Sequence, residues 1–268
     1  MTPAGDAFTE EVVEIARVRI QLRRGGAGAP LLVLHGELGV PGWLRAYALL
    51  AERYTVYVPS LPGFGRSARP DWIVTVRDLA AWATWFVRDL KLPQPLSVIG
   101  FSLGGWVAAE IATMNASLFS KIVLVGAAGL KPDEGQVWDY FVHGSREAFA
   151  QAFCDPAKAP EYAQYYDRVW TREEEAQAEQ NREMAARLFW KPYMRSHTLP
   201  ALLHGIATPT LVVWGREDAI IPLDVCRRYV AAIPGATETI LDRCGHLPEM
   251  EKPEAFVRAV LDFLEPRG

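Results

Sequence analysis

The sequence predicts an α/β fold in which a mostly parallel sheet is covered by helices on both faces. Short apolar, β-branched runs alternate with amphipathic helical patterns in both the first and the last part of the chain. The run at residues 31–34 is apolar throughout, as expected of a strand buried on both faces. A chain of 268 residues with 50% hydrophobic residues is long enough for one large α/β domain with an insertion.

The elements follow one another in a regular order. Two alternating segments, at residues 11–15 and 18–22, predict an antiparallel hairpin at the edge of the sheet. Further strands are predicted at residues 31–34, 54–58, 96–99, 121–126, 210–215 and 237–241. Helices of the same core are predicted at residues 43–53, 76–90, 223–232 and 253–264.

The alternation of strands and helices breaks in the middle of the chain. No strand-like run occurs there, and the segment is dense in large aromatic residues. Helices are predicted instead at residues 136–140, 145–153, 161–170 and 173–190. We therefore expect residues 130–204 to form a helical insertion in a core made of residues 1–129 and 205–268.

The strongest local signal is Gly-Phe-Ser-Leu-Gly at residues 100–104, between a predicted strand and a predicted helix. Glycines two positions before and after Ser102 permit the close approach of strand and helix that this sharp turn requires. The turn would hold Ser102 in a strained conformation above the helix N-terminus. Ser102 is therefore the candidate nucleophile, and a Gly-rich turn with an ordinary serine is the structural alternative.

A serine hydroxyl needs a base to act as a nucleophile at neutral pH, and the base needs an orienting acid. His246 and Asp218 each follow a predicted strand, so both should lie at the same sheet edge as Ser102. The chain order Ser, Asp, His is typical of a serine held in such a turn. Glu217 stays open as a rival acid. His35 also ends a strand, but a glycine-containing loop follows it, and we expect it to support that loop.

Acyl transfer also needs two fixed donors for the oxyanion. The first should be the backbone N–H of Leu103, the residue after the candidate nucleophile. The second should come from the loop after Gly36. Its simplest donor is Glu37 N–H, and Leu38 N–H is the alternative.

Composition argues against several other classes of protein. A net charge of −4 gives no reason to expect nucleic acid or an anionic membrane surface as a partner. No apolar run reaches membrane-spanning length, and residues 1–6 lack the features of a signal peptide. With three widely spaced cysteines, these features predict a cytoplasmic protein. An H-E-x-x-H motif and a G-x-G-x-x-G fingerprint after the first buried strand are both missing, so no metal or nucleotide cofactor is expected.

Together, these motifs resemble the α/β-hydrolase family over nearly the whole chain. The resemblance rests on residues 35–36, 62–67, 100–105, 215–218 with Pro222, and 245–246. It implies an α/β-hydrolase fold in which Ser102, Asp218 and His246 are catalytic and the helical insertion is a cap over the active site. Asp218 matches the family pattern better than Glu217, since Ala-Ile-Ile-Pro follows it. Dehalogenases and epoxide hydrolases of this frame use an aspartate nucleophile, against which Ser102 argues.

Two subfamilies are similar to this chain. Residues 214–218 and 244–246 are similar to those of hydrolases that cleave carbon–carbon bonds in aromatic ring-fission products. However, Leu247 stands where those enzymes carry an aromatic residue, and residues 37–42 differ from their usual Gly-Pro-Gly loop. The chain looks closer to small carboxylesterases, a group that includes hydrolases of acyl-homoserine lactones.

The sequence therefore predicts a cofactor-free serine hydrolase whose partner is a small to medium carboxylic ester or a lactone. Two alternatives stay open: a carbon–carbon bond hydrolase, and a hydrolase-fold receptor that binds a small molecule with little turnover. Substrate contacts are expected from Trp138, Phe141 and Trp190 in the cap and from Leu247. An apolar roof of this kind would favour acyl groups over substrates that carry a second carboxylate.

Overall fold

The computed structural model describes residues 8–265. Its eight strands are β1 (Phe8–Ile15), β2 (Val18–Gly25), β3 (Ala29–Leu34), β4 (Tyr54–Pro59), β5 (Leu96–Phe101), β6 (Phe119–Val125), β7 (Thr210–Gly215) and β8 (Thr237–Leu241). They form one sheet in the order β1-β2-β4-β3-β5-β6-β7-β8. The strands β1 and β2 form the predicted antiparallel hairpin at one edge, and β3 to β8 run parallel to one another. The predicted fold class is confirmed.

Helices cover both faces of the sheet. They are α1 (Arg45–Ala51), α2 (Val76–Asp89), α3 (Leu103–Met114), α4 (Ser145–Gln151), α5 (Pro160–Tyr165), α6 (Arg172–Phe189), α7 (Leu199–Leu202), α8 (Leu223–Ala232), α9 (Pro248–Glu251) and α10 (Pro253–Leu264). Within residues 8–265, no helix is both long and apolar enough to cross a membrane.

The helices α4 to α7 all lie between β6 and β7, in the segment predicted to be helical. The longest, α6, begins with a capping box in which Thr171 and Glu174 satisfy each other's backbone N–H groups. The predicted helix at residues 136–140 is wrong, because this stretch is irregular. Its backbone is bound by distant partners instead: Trp138 N–H donates to the Ile220 carbonyl and Tyr140 N–H to the Tyr193 hydroxyl, at 2.9 and 2.8 Å.

The cap is fastened to the core directly above the loop that follows β3. Asn181, in α6, donates from Nδ2 to the Leu38 carbonyl at 3.1 Å and accepts from Gly65 N–H at 2.9 Å. Its neighbour Gln180 donates to the carbonyls of Gly63 and Gly65. These bonds connect α6 to two core loops whose backbone groups would otherwise lack a partner when buried.

The turn between β5 and α3 is packed too closely for side chains at two of its glycines. A Cβ added to Gly100 would lie 2.4 Å from the Gly104 carbonyl oxygen. One added to Gly104 would lie 2.0 Å from the Leu34 carbonyl oxygen. Since both neighbours are backbone atoms, they cannot rotate away, and the two glycines are required by the close approach of β3, β5 and α3.

We expect Gly104→Ala to destabilise the fold strongly. Overpacking in a well-packed core typically costs about 1–3 kcal/mol, and a collision with backbone belongs at the upper end of that range or beyond it. The matched control is Gly205→Ala, because nothing lies within 4 Å of a Cβ at that position. Urea unfolding of the two variants and the wild type measures the difference. Equal unfolding midpoints for all three proteins would contradict the steric argument.

Candidate active site

Ser102 occupies a backbone conformation that a residue with a side chain rarely adopts. It has φ 45° and ψ −111° and stands between the end of β5 and the start of α3. Its N–H donates to the Val125 carbonyl at 2.8 Å, and its own carbonyl accepts from Trp106 and Ala128 N–H, each at 3.1 Å. The surrounding strands and helix therefore stabilise this strained backbone conformation. Such strain is typical of a functional position.

Asp218 and His246 come together from two neighbouring strands. Asp218 follows β7, His246 follows β8, and His246 Nδ1 lies 2.8 Å from Asp218 Oδ2. The two side chains are 0% and 1% exposed. The other carboxylate oxygen of Asp218 accepts from the N–H groups of Ile220 and Ile221, both at 2.9 Å. Because the carboxylate is fixed on both sides, Nδ1–H donates to it, and in the neutral imidazole Nε2 is the acceptor.

Glu217, the rival acid, points to a different partner. Its carboxylate accepts from Cys244 N–H at 2.9 Å, and its own N–H donates to the Cys244 carbonyl at 3.0 Å. Glu217 therefore stabilises the loop that carries His246, whereas Asp218 contacts the imidazole of His246 directly.

The two reacting atoms of the candidate site face one small cavity. Ser102 Oγ and His246 Nε2 are both buried, and neither has a hydrogen-bond partner among the described residues. Both residues line a cavity of about 20 Å³, which we call the inner cavity. A volume of this size accommodates about one water molecule. Buried polar atoms are normally paired, so two unpaired ones in the same cavity require a functional explanation.

The loop that carries His246 is joined to the cap. His246 N–H donates to the Ala152 carbonyl, just after α4, at 2.7 Å. Glu251, in α9, accepts from Gly245 N–H at 2.6 Å and from Cys154 N–H at 3.2 Å. One carboxylate therefore connects the histidine loop to the chain segment that follows α4.

His35 fixes the loop in which the second oxyanion donor is expected. Its Nε2 accepts from Leu61 N–H at 2.8 Å, and its Nδ1–H donates to the Gly36 carbonyl at 2.6 Å. Burial, with a smaller contribution from the charge of Arg23, lowers the pKa of His35 to about 4, so the ring is neutral. A Cβ on Gly36 would lie 3.1 Å from Ser102 Cβ, which shows how closely this loop passes the serine.

Two buried carboxyl groups beside the inner cavity were missed by sequence reasoning. Glu37 and Glu249 are 2% and 4% exposed, both line the cavity, and one oxygen of each has no partner in the described structure. Burial raises the pKa of Glu249 to about 8. Burial lowers the pKa of His246, but the charge and hydrogen bond of Asp218, together with Glu37 and Glu249, raise it to about 9.

The proposed substrate contacts are divided between two places. Leu247 is 9% exposed and lines the inner cavity beside His246. The structure does not bring Trp138, Phe141 or Trp190 to this cavity. Trp138 stacks on His143 at 4.5 Å, while Phe141 packs against Trp190, which is 60% exposed. These three residues are therefore packing and surface residues of the cap in this structure. The cavity is bounded instead by Tyr47 and by Tyr166 of the cap.

A family model for the alpha/beta hydrolase fold matches residues 29–253. The chain belongs to this family. The hydrolase is 26% identical to a 2-hydroxy-6-oxo-6-(2'-aminophenyl)hexa-2,4-dienoic acid hydrolase of Metapseudomonas resinovorans, over 98% of this chain and 93% of the relative. It is 30% identical to a 2-hydroxymuconate semialdehyde hydrolase of Pseudomonas sp. strain CF600, over 93% of this chain and 91% of the relative.

Among solved structures, the hydrolase is similar to a bacterial membrane phospholipase A. The TM-score is 0.82 at 25% identity, with coverage of 96% of this chain and 86% of the other. The described part of the hydrolase contains no group of three or more His, Cys, Asp or Glu side chains that could hold a metal ion.

We expect Asp218→Asn to reduce kcat by about 10⁴-fold, the loss typical of an asparagine that holds the histidine in the wrong tautomer. The matched control is Glu217→Gln, which keeps an oxygen that can accept from Cys244 N–H and should stay near the wild-type rate. Steady-state kinetics on a 4-nitrophenyl ester measures both variants. A larger loss in Glu217→Gln would show that the orienting acid is misassigned.

We expect the acid limb of the pH profile of kcat/KM to lie well above 6.5, the ordinary pKa of histidine. The base must be neutral to accept a proton, and nearby carboxylates raise the pKa of His246 to about 9. Glu37→Gln removes one of these negative charges, so its limb should move to lower pH. Glu217→Gln serves as the control and should leave the midpoint in place. A wild-type midpoint at or below 6.5 would contradict this electrostatic account.

Proposed function

We propose that the protein is a serine hydrolase that forms an acyl-enzyme on Ser102. The observation that carries this proposal is the pair of unpartnered atoms, Ser102 Oγ and His246 Nε2, in one buried cavity. As Ser102 Oγ attacks a carbonyl carbon, His246 Nε2 takes its proton, and Asp218 stabilises the imidazolium that results. His246 then returns the proton to the leaving group. It next activates water, which releases the acid and the free serine.

The oxyanion formed in each step would be bound by backbone donors. Leu103 is the first residue of α3, so its N–H has no partner within the helix and points toward the serine turn. Glu37 N–H is the second proposed donor and Leu38 N–H its alternative, because both residues line the inner cavity. Each such donor is worth about 3–4 kcal/mol in the transition state.

Of the reactions that such a site could catalyse, we propose carbon–carbon bond hydrolysis of ring-fission dienoates as the first candidate. Two relatives named as hydrolases of a dienoic acid and of 2-hydroxymuconate semialdehyde align with more than nine-tenths of this chain, at 26% and 30% identity. Their substrates carry a ketone or aldehyde carbonyl at one end and a carboxylate at the other. Tautomerisation of the 2-hydroxydiene to its 2-oxo form would first place a proton on the carbon next to that carbonyl. Addition of Ser102 Oγ to the carbonyl, with its proton passing to His246 Nε2, would then break the carbon–carbon bond and expel an enolate, which takes up that proton. Water would finally release the acid from Ser102. The sequence alone places ester hydrolysis first, and the relatives reverse that order.

Hydrolysis of esters or lactones is the second candidate, and the lack of a basic side chain among the described residues of the inner cavity favours it. Glu37 and Glu249 lie beside Ser102, and among the described residues that line this cavity none is Lys or Arg. Arg187 of the cap does not line this cavity and donates instead to the Asp71 carbonyl at the surface. A carboxylate placed next to Ser102 would therefore be buried without a basic partner.

Parallel kcat/KM measurements on 2-hydroxymuconate semialdehyde and on neutral 4-nitrophenyl esters decide between the candidates. We expect the semialdehyde to be preferred at least tenfold, which corresponds to about 1.4 kcal/mol of transition-state binding. Ser102→Ala should abolish both activities beyond a small residual rate. A tenfold preference for the esters would favour the second candidate. Failure of the wild type to turn over either set would overturn the hydrolase proposal in favour of a small-molecule receptor.

A further inference from the structure

A second, larger cavity lies next to the inner cavity, between the edge of the core sheet and the cap. We call it the outer cleft. Its volume is about 420 Å³, large enough for a small organic molecule. Leu38, Pro41 and Tyr166 line both spaces. The two cavities are therefore adjacent, and we expect a substrate longer than the inner cavity to extend into the outer cleft.

Arg23 of β2 lines this outer cleft with an unused hydrogen-bond donor. The residue is 8% exposed, and its Nε lies 2.8 Å from Glu10 Oε2. Its Nη1 is buried and has no partner in the part of the chain that the structure describes. A second buried donor without such a partner, Trp170 Nε1, belongs to a cap residue that lines the same cleft. Buried donors of this kind are costly unless something binds them.

The acidic residues that line the outer cleft have cationic partners of their own. Glu10 forms ion pairs with Arg23 and with Arg66, whose Nη1 lies 3.5 Å from Glu10 Oε1. Arg66 also lies 3.4 Å from Glu173, and Glu174 is bound by Arg168. Glu10 is paired with Nε of Arg23, so Nη1 remains as the donor that could bind an anion.

The two cavities thus differ in the kind of unpartnered group they present. Glu37 and Glu249, each with an unpartnered carboxyl oxygen, line the inner cavity, whereas Arg23 and Trp170, each with an unpartnered donor, line the outer cleft. A substrate that suits both has a neutral reacting carbonyl at Ser102 and an anionic group several bonds away.

We propose that Arg23 is a specificity-determining residue that binds the carboxylate of the substrate in the outer cleft. The ligand class is a small carbonyl compound or ester with one carboxylate at the end remote from the cleaved bond. This proposal rests on the proposed function, and it supplies the basic partner that the inner cavity lacks.

The test uses two 4-nitrophenyl esters with acyl chains of equal length, the hexanoate and the adipate hemiester, which carries a free carboxylate. The quantity measured is the ratio of kcat/KM for the hemiester to that for the hexanoate. We expect Arg23→Gln to lower this ratio at least tenfold, mainly through KM, and Arg23→Lys to restore part of it. The control Arg66→Gln changes an arginine of the same cleft whose side chain is 63% exposed and should leave the ratio within twofold. An unchanged ratio in Arg23→Gln would overturn the proposal.

A binding measurement separates this proposal from the proposed function. Ser102→Ala protein, with and without Arg23→Gln, is titrated calorimetrically with adipate monomethyl ester. We expect Kd to rise at least tenfold when Arg23 is replaced, whether or not the wild type cleaves any substrate tested. Equal Kd values, or no binding by the Ser102→Ala protein, would overturn the role of Arg23. Lack of turnover by the wild type would overturn only the proposed function.

Discussion

The strained backbone of Ser102 is the constraint on which the rest of the site depends. A positive φ at a serine persists only where the neighbouring structure enforces it. Two features stabilise this conformation here. Two glycines allow β5 and α3 to pack closely, and three hydrogen bonds hold the serine backbone. The result is a hydroxyl placed at the carboxyl edge of the parallel strands, where the loops after β7 and β8 also end. Asp218 and His246 follow these strands and therefore lie at the same edge of the sheet.

The sheet could be predicted from the sequence because its signals are local, and signals of the same kind led to Ser102, Asp218 and His246 as the proposed catalytic residues. Apolar runs specify buried strands, and the pattern at residues 100–104 specifies a turn whose steric requirements exclude most other residues. The choice of Asp218 over Glu217 came from a family pattern, and the structure adds the physical reason. Asp218 contacts the imidazole while Glu217 accepts from Cys244 N–H.

The features that sequence reasoning missed all depend on contacts between distant parts of the chain. Residues 136–140 have a helical composition, but their N–H groups are bound by Ile220 and Tyr193, which lie far away in the sequence. Glu37 and Glu249 resemble ordinary loop and helix glutamates in the sequence, and only tertiary packing buries them. The cap aromatics illustrate the same limit, because the pattern could predict their abundance but not which of them face the cavity.

The hydrogen bond from His246 N–H to the Ala152 carbonyl has a consequence for how such caps can diversify. Caps are often regarded as exchangeable lids, replaced in evolution or by engineering to change what an enzyme accepts. In this chain the segment just after α4 also holds the backbone of the histidine, and Glu251 reinforces that junction. A transplanted cap would therefore have to retain the junction at residues 152–154 and also the contacts that Asn181 of α6 makes with the core loops. Substrate selectivity could then change only through cap residues outside these two contacts.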